Sequence, residues 1–201
     1  MEKIRKKIKN EEIRNLIIVI LAVTLIFAYP NLKENLFLYL VIVSFSIFLR
    51  YIAQKLLGDR LGCMVTFKLW PIGAALGVMS LLLKTVYGFI FTALGYVEII
   101  PYNFGRWGIK LIKMTPRDYA HIALAGIAVN MFFMLIFGVL YSINNSIEIF
   151  QIISLTNGLL ALFNLLPIPQ LEGGHIFTWS LWFWVILFCF NAGILFVVKG
   201  L

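Results

Sequence analysis

Few side chains in this sequence can do chemistry, and most of them stand inside or beside apolar runs. His121 and His175 are the only histidines. They do not form an i, i+4 pair, the spacing by which two imidazoles on one helix face reach one metal ion. Cys63 and Cys189 lack CxxC spacing, so a disulfide framework, a zinc knuckle and haem attachment are without support. Arg50, Gln54 and Lys55 fall in the last two turns of an apolar run from Leu36 to Leu57, and Glu172 follows the break Pro167-Ile168-Pro169. A guanidinium or carboxylate in an apolar site is costly, so each needs water, the interface or an opposite charge. Arg50 could satisfy this by snorkelling to the interface and Glu172 by capping a helix near water. Glu172 and His175 stand at i, i+3, a spacing that can bring two ligands together, although Gly173 and Gly174 between them disfavour a regular helical face. Gly126 and Asn130, at i, i+4, suit a close helix contact with one interhelical hydrogen bond.

The elements that position these groups belong to a membrane protein. The chain has 201 residues, 62% hydrophobic and 13% charged, against about 45–50% and about 25% in soluble domains. Such a core would leave no polar surface to cover it, so the solvent is a lipid bilayer. The net charge of +8, from 17 basic and 9 acidic residues, lies in short connections. Lys3, Arg5, Lys6, Lys7, Lys9 and Arg14 crowd residues 1–14, and Arg106, Lys110, Lys113 and Arg117 share one later loop. This is the pattern of cytoplasmic loops and not of a nucleic-acid surface. The first apolar run closes on Tyr29-Pro30-Asn31 without a small-residue cleavage site, so it reads as an anchor.

The expected fold is an all-α polytopic membrane domain over 1–201, with about six transmembrane segments. Residues 1–14 form a basic cytoplasmic segment, followed by spans at Leu16–Tyr29 and Leu36–Leu57. Residues 61–71 carry β-branched and aromatic side chains and read as a short interfacial β ribbon. From 72 to 100 the apolar pattern is interrupted by glycines and by Lys84, which suits two half-length helices or a re-entrant hairpin with Lys84 and Glu98 as a candidate pair across it. The spans of 119–198 follow. Asp118 and Glu148 bracket 29 residues without a formal charge, another span ends at the Pro-Ile-Pro break, and the last runs from Ile176 to Val198. With the N-terminus cytoplasmic and both basic clusters on that side, an even number of crossings separates 61 from 105. Residues 50–54 and Glu172 then reach the same membrane face.

At this point the sequence resembles a family. The run Phe163-Asn164-Leu165-Leu166-Pro167-Ile168-Pro169-Gln170-Leu171-Glu172-Gly173-Gly174-His175 is similar to the NxxPxPxLDGG signature of the site-2 proteases, intramembrane zinc metalloproteases. Leu124-Ala125-Gly126-Ile127-Ala128-Val129-Asn130 resembles their AGPxxN, with Ile127 where proline is usual. Leu61 to Gly73 looks like the ribbon that follows the catalytic helix in short archaeal members, and Glu11 to Leu16 resembles their anchor. The resemblance implies HExxH on the second span, with the glutamate activating a zinc-bound water and the aspartate of LDG as third ligand. Counting back from Leu61, those positions hold Arg50, Tyr51 and Gln54, and Glu172 stands for the aspartate.

A guanidinium has no lone pair for a metal and Gln54 offers only a neutral carbonyl, so the expectation is a pseudoprotease without zinc or other cofactor. Its partners would be the bilayer and transmembrane helices of other proteins. The resemblance makes Asn130, Asn164, Pro167, Pro169, Gly173 and Gly174 the candidate cleft residues. No catalytic activity is expected, Arg50 should face Glu172 as an ion pair, and the protein should lie in the cell membrane. The rivals are a metalloprotease using Glu172, His175 and His121, and a structural subunit of a larger membrane complex.

Overall fold

The computed structural model describes residues 2–105 and 108–200. Two long helices open the chain, α1 (Glu2–Ala28) and α2 (Leu32–Leu61), followed by strand β1 (Met64–Leu69) and helix α3 (Pro71–Tyr87). Strands β2 (Gly95–Ile100), β3 (Tyr102–Gly105) and β4 (Gly108–Leu111) lead to α4 (Pro116–Ile143), α5 (Glu148–Asn164), α6 (Glu172–Trp179) and α7 (Leu181–Gly200). β1 pairs antiparallel with β2, Met64 opposite Ile100 and Thr66 opposite Glu98, and β3 pairs antiparallel with β4.

Local chemistry sets the boundaries. α2 stops at Gly62, whose φ of 78° is left-handed and whose N–H reaches the Asp59 and Gly58 carbonyls. Pro71 and Pro116 open α3 and α4 at a position where a missing N–H costs nothing. Thr115 and Asp118 close a reciprocal capping box on α4. The α1 face that carries Val19, Val23 and Ile26 packs on α2, β1 and α3 in one core, while Ile127 and Met131 of α4 pack with Ala161 of α5 and Ile176 of α6 in a second.

The structure corrects several expectations. The fold is mostly helical with two small ribbons, not all-α. Among the described residues three helices, α2, α4 and α7, are long and apolar enough to cross a membrane, against the six expected. α5 has 17 residues, about 25 Å at the α-helical rise and short of the usual span. Residues 72–100 form no helical hairpin: α3 ends at Gly88, φ 67°, and the chain returns extended into β2. The ribbon thus begins within 61–71, but its second strand comes from the segment read as helical. Lys84 and Glu98 do not pair. Lys84 Nζ donates to the carbonyls of Ile26 (2.9 Å), Phe27 (2.8 Å) and Tyr29, capping the C-terminal end of α1, while Glu98 bonds Lys68 at 2.6 Å. The last apolar stretch is broken at Ser180, whose extended backbone separates α6 from α7. Arg106, within the second basic cluster, lies outside the described residues.

Candidate functional site

α2 presents two polar pairs to the interior, one turn long each. Arg50 and Gln54 form the first. They are 4% and 0% exposed, too deep for a guanidinium to snorkel. Facing them is Glu172, 3% exposed, in the first turn of α6. Its position follows from the break before it. Pro167 and Pro169 cannot continue α5, and the backbone turns through bonds from Ile168 N to Leu166 O (2.8 Å) and from Leu171 N to Ile168 O (2.9 Å). Gly173 and Gly174 let α6 start against this turn: a Cβ at Gly173 would lie 2.1 Å from the Leu165 carbonyl oxygen, and one at Gly174 2.2 Å from that of Ile168.

Arg50 Nη2 donates to Glu172 Oε1 at 2.5 Å, and Gln54 Nε2 donates to the same oxygen at 3.0 Å. The pair expected from the sequence is therefore present, with a neutral amide beside it. Glu172 Oε2 accepts no bond. α4 approaches α2 closely here because Gly126 has no side chain: a Cβ there would come within 2.6 Å of the Gln54 amide. The close contact expected at Gly126 and Asn130 exists, but the Asn130 Oδ1 is buried and accepts no hydrogen bond.

The second pair is Tyr51 and Lys55, and it meets a residue that sequence reasoning missed. Glu12 of α1 accepts from the Tyr51 hydroxyl, from Lys55 Nζ at 3.2 Å on each oxygen, and from the Phe67 N–H at 3.4 Å. Lys55 Nζ also donates to the Tyr51 hydroxyl at 2.5 Å. Glu12 lies in the segment read as basic and cytoplasmic, yet it shares the i, i+7, i+11 stripe with Val19 and Val23 and is 8% exposed. That stripe is the signal that could have found it.

The other candidate residues are placed as follows. Asn164 is buried and its Nδ2 donates back to Leu160 O at 2.6 Å, while Pro167 and Pro169 are exposed. Gly173 and Gly174 are filled by backbone instead of bordering open space. His175 stacks on Tyr119, ring centroids 5.6 Å apart, and His121 meets Trp179 edge-on at 5.6 Å.

A zinc ion does not fit this donor set. The only carboxylate at the site has one oxygen engaged by Arg50 and Gln54, and no group of three His, Cys, Asp or Glu side chains comes together among the described residues. The chain is similar to a protein provisionally named a metalloprotease. Over 186 residues it is 29% identical to a Methanocaldococcus jannaschii protein provisionally named a zinc metalloprotease, the match covering 90% of this chain and 91% of the relative. No family model matches the chain, and no solved structure does. The three apolar helices are those of a membrane protein, and over most of its length the chain is similar to a protein provisionally named a zinc metalloprotease.

Proposed function

We propose that this chain is an integral membrane protein of the site-2 protease family whose metal centre has given way to the Arg50–Glu172 ion pair. It binds transmembrane segments of partner proteins without cleaving them. The observation that carries this reading is the single oxygen, Glu172 Oε1, held by both Arg50 and Gln54. These are the two side chains that stand where the resemblance calls for zinc-binding histidines. In the same register Tyr51 stands for the general base, and its hydroxyl is spent on Glu12 and Lys55. Among the described residues this site gathers no set of metal ligands, and its one carboxylate is tied through Oε1 to Arg50 and Gln54, which equips it poorly to activate water.

The test is metal content and cleavage in one preparation. Purified without chelators and reconstituted in vesicles, the protein should carry well under one zinc per chain and leave a co-reconstituted transmembrane substrate intact. Stoichiometric zinc that disappears on His175→Ala would overturn the proposal, because it would require a rebuilt site around Glu172 and His175.

The reading also includes a cell-membrane location with a cytoplasmic N-terminus, since each basic cluster leads into an apolar helical run. Single cysteines replacing Lys7 and Lys113, in a background lacking Cys63 and Cys189, should label from the same side of sealed vesicles. Labelling from opposite sides would mean that the chain between them crosses an odd number of times.

A further inference from the structure

Apart from the Arg50–Glu172 site, α1 and the β1–β2 ribbon enclose a groove of about 410 Å³. One wall is a single helical face: Ile8, Glu11, Glu12 and Asn15 follow the i, i+3, i+4, i+7 spacing. The floor is one face of the ribbon, where Met64, Thr66 and Lys68 alternate along β1 and the cross-strand partners Ile100 and Glu98 stand beside Met64 and Thr66. Apolar side chains lie at its edges and three carboxylates, Glu11, Glu12 and Glu98, point the charge balance toward a cation.

Two of those carboxylates have partners within the protein. Glu12 is held by Tyr51 and Lys55, and Glu98 bonds Lys68 at 2.6 Å. The hydrogen bond that Lys68 donates to Glu98 holds its ammonium above the usual lysine range against desolvation, with Glu11 adding a smaller pull. Glu11 is exposed at the groove and stands in no ion pair among the described residues. Beside it the floor contains a separate anomaly. Thr66 is 6% exposed, and its hydroxyl oxygen has no hydrogen-bond partner. A buried hydroxyl left unpaired costs stability, and a donor entering the groove would satisfy it.

We propose that this groove binds an organic cation, a guanidinium or primary ammonium on a short apolar stem, with its head between Glu11 and the Thr66 hydroxyl and its stem along Met64 and Ile100. The volume falls in the range of small-ligand sites, and the mixture of apolar lining with a few convergent polar groups is the pattern such sites show. The chemistry is the same whether the cation is a free small amine or the basic side chain of a polypeptide lying across the ribbon. The inference is independent of the reading given for the Arg50–Glu172 pair.

The test uses the full chain in detergent micelles, titrated calorimetrically with agmatine, with its neutral analogue butylurea, and with an Ac-Gly-Gly-Arg-Gly-Gly-amide peptide beside its Gln counterpart. Agmatine should bind saturably, and butylurea about tenfold more weakly or not at all. Glu11→Gln, on an exposed helix position where folding is not at stake, and Thr66→Val should each weaken agmatine by about fivefold. Binding of the Arg peptide as well, with the Gln peptide inert, identifies a polypeptide side chain as the source; agmatine alone identifies a free amine. The proposal is overturned if neither probe binds below about 10 mM, if butylurea equals agmatine, or if both variants bind as the parent does.

Discussion

Arg50→Met and Glu172→Leu should each destabilise the protein by about 3–5 kcal/mol, and the double substitution should recover most of that loss. The two charges are 5% and 3% exposed at their side chains and 2.5 Å apart. Each single change leaves the other ion buried without its partner, which is the dominant penalty. With both gone, two apolar side chains of similar bulk fill the space and no desolvated charge remains. Gln54 makes Arg50→Met the milder member, because its amide continues to donate to Glu172 Oε1. Unfolding of the four proteins in mixed micelles, followed by circular dichroism, gives the coupling. Strict additivity would show that the pair contributes nothing as a pair.

Gly173→Ala is expected to cost more than methyl groups usually do. Overpacking typically costs about 1–3 kcal/mol when side chains can give way. Here the new methyl would meet the carbonyl carbon and oxygen of Leu165 at 2.2 and 2.1 Å and the Leu166 oxygen at 2.4 Å, all of them backbone. α6 must then move off the Pro-Ile-Pro turn, carrying Glu172 away from Arg50. Gly193→Ala in α7 is the contrast, since nothing lies within 4 Å of its added Cβ; there the better helix propensity of alanine should leave stability unchanged or raised by under about 1 kcal/mol. The same unfolding assay checks both, and equal effects at the two sites would refute the packing argument.

The Arg50–Glu172 meeting was legible through the motif register, which aligned both residues with ligand positions; the topology argument that put them at one membrane face leaned on a hairpin over 72–100 that the structure does not contain. The ribbon was only half legible. Gly62 to Trp70 declared itself by Val65, Thr66 and Phe67, whereas Gly95 to Ile100 is as apolar as the helix before it, and a short apolar run fits a buried helix or a strand equally well. Ser180 gave no warning, since one serine in an apolar run is compatible with an unbroken helix, and it is the packing of Trp184 Nε1 onto the Leu165 carbonyl at 2.7 Å that helps fix α7 after the break. Glu12 was hidden by its neighbours: an acidic pair, Glu11 and Glu12, between Lys9 and Arg14 reads as surface until the helical stripe below Glu12 is followed into the core.

Lys84 has a meaning beyond closing a helix. The last carbonyls of any helix need hydrogen bonds, and in water they take them from the solvent; in hydrocarbon no such supply exists. By reaching Ile26, Phe27 and Tyr29 with one ammonium, the protein carries its own solvation shell to that end of α1. The ammonium, in turn, exchanges hydration for three oriented carbonyl dipoles at the negative pole of the helix. The turn into α2 therefore does not need bulk water to satisfy these three carbonyls.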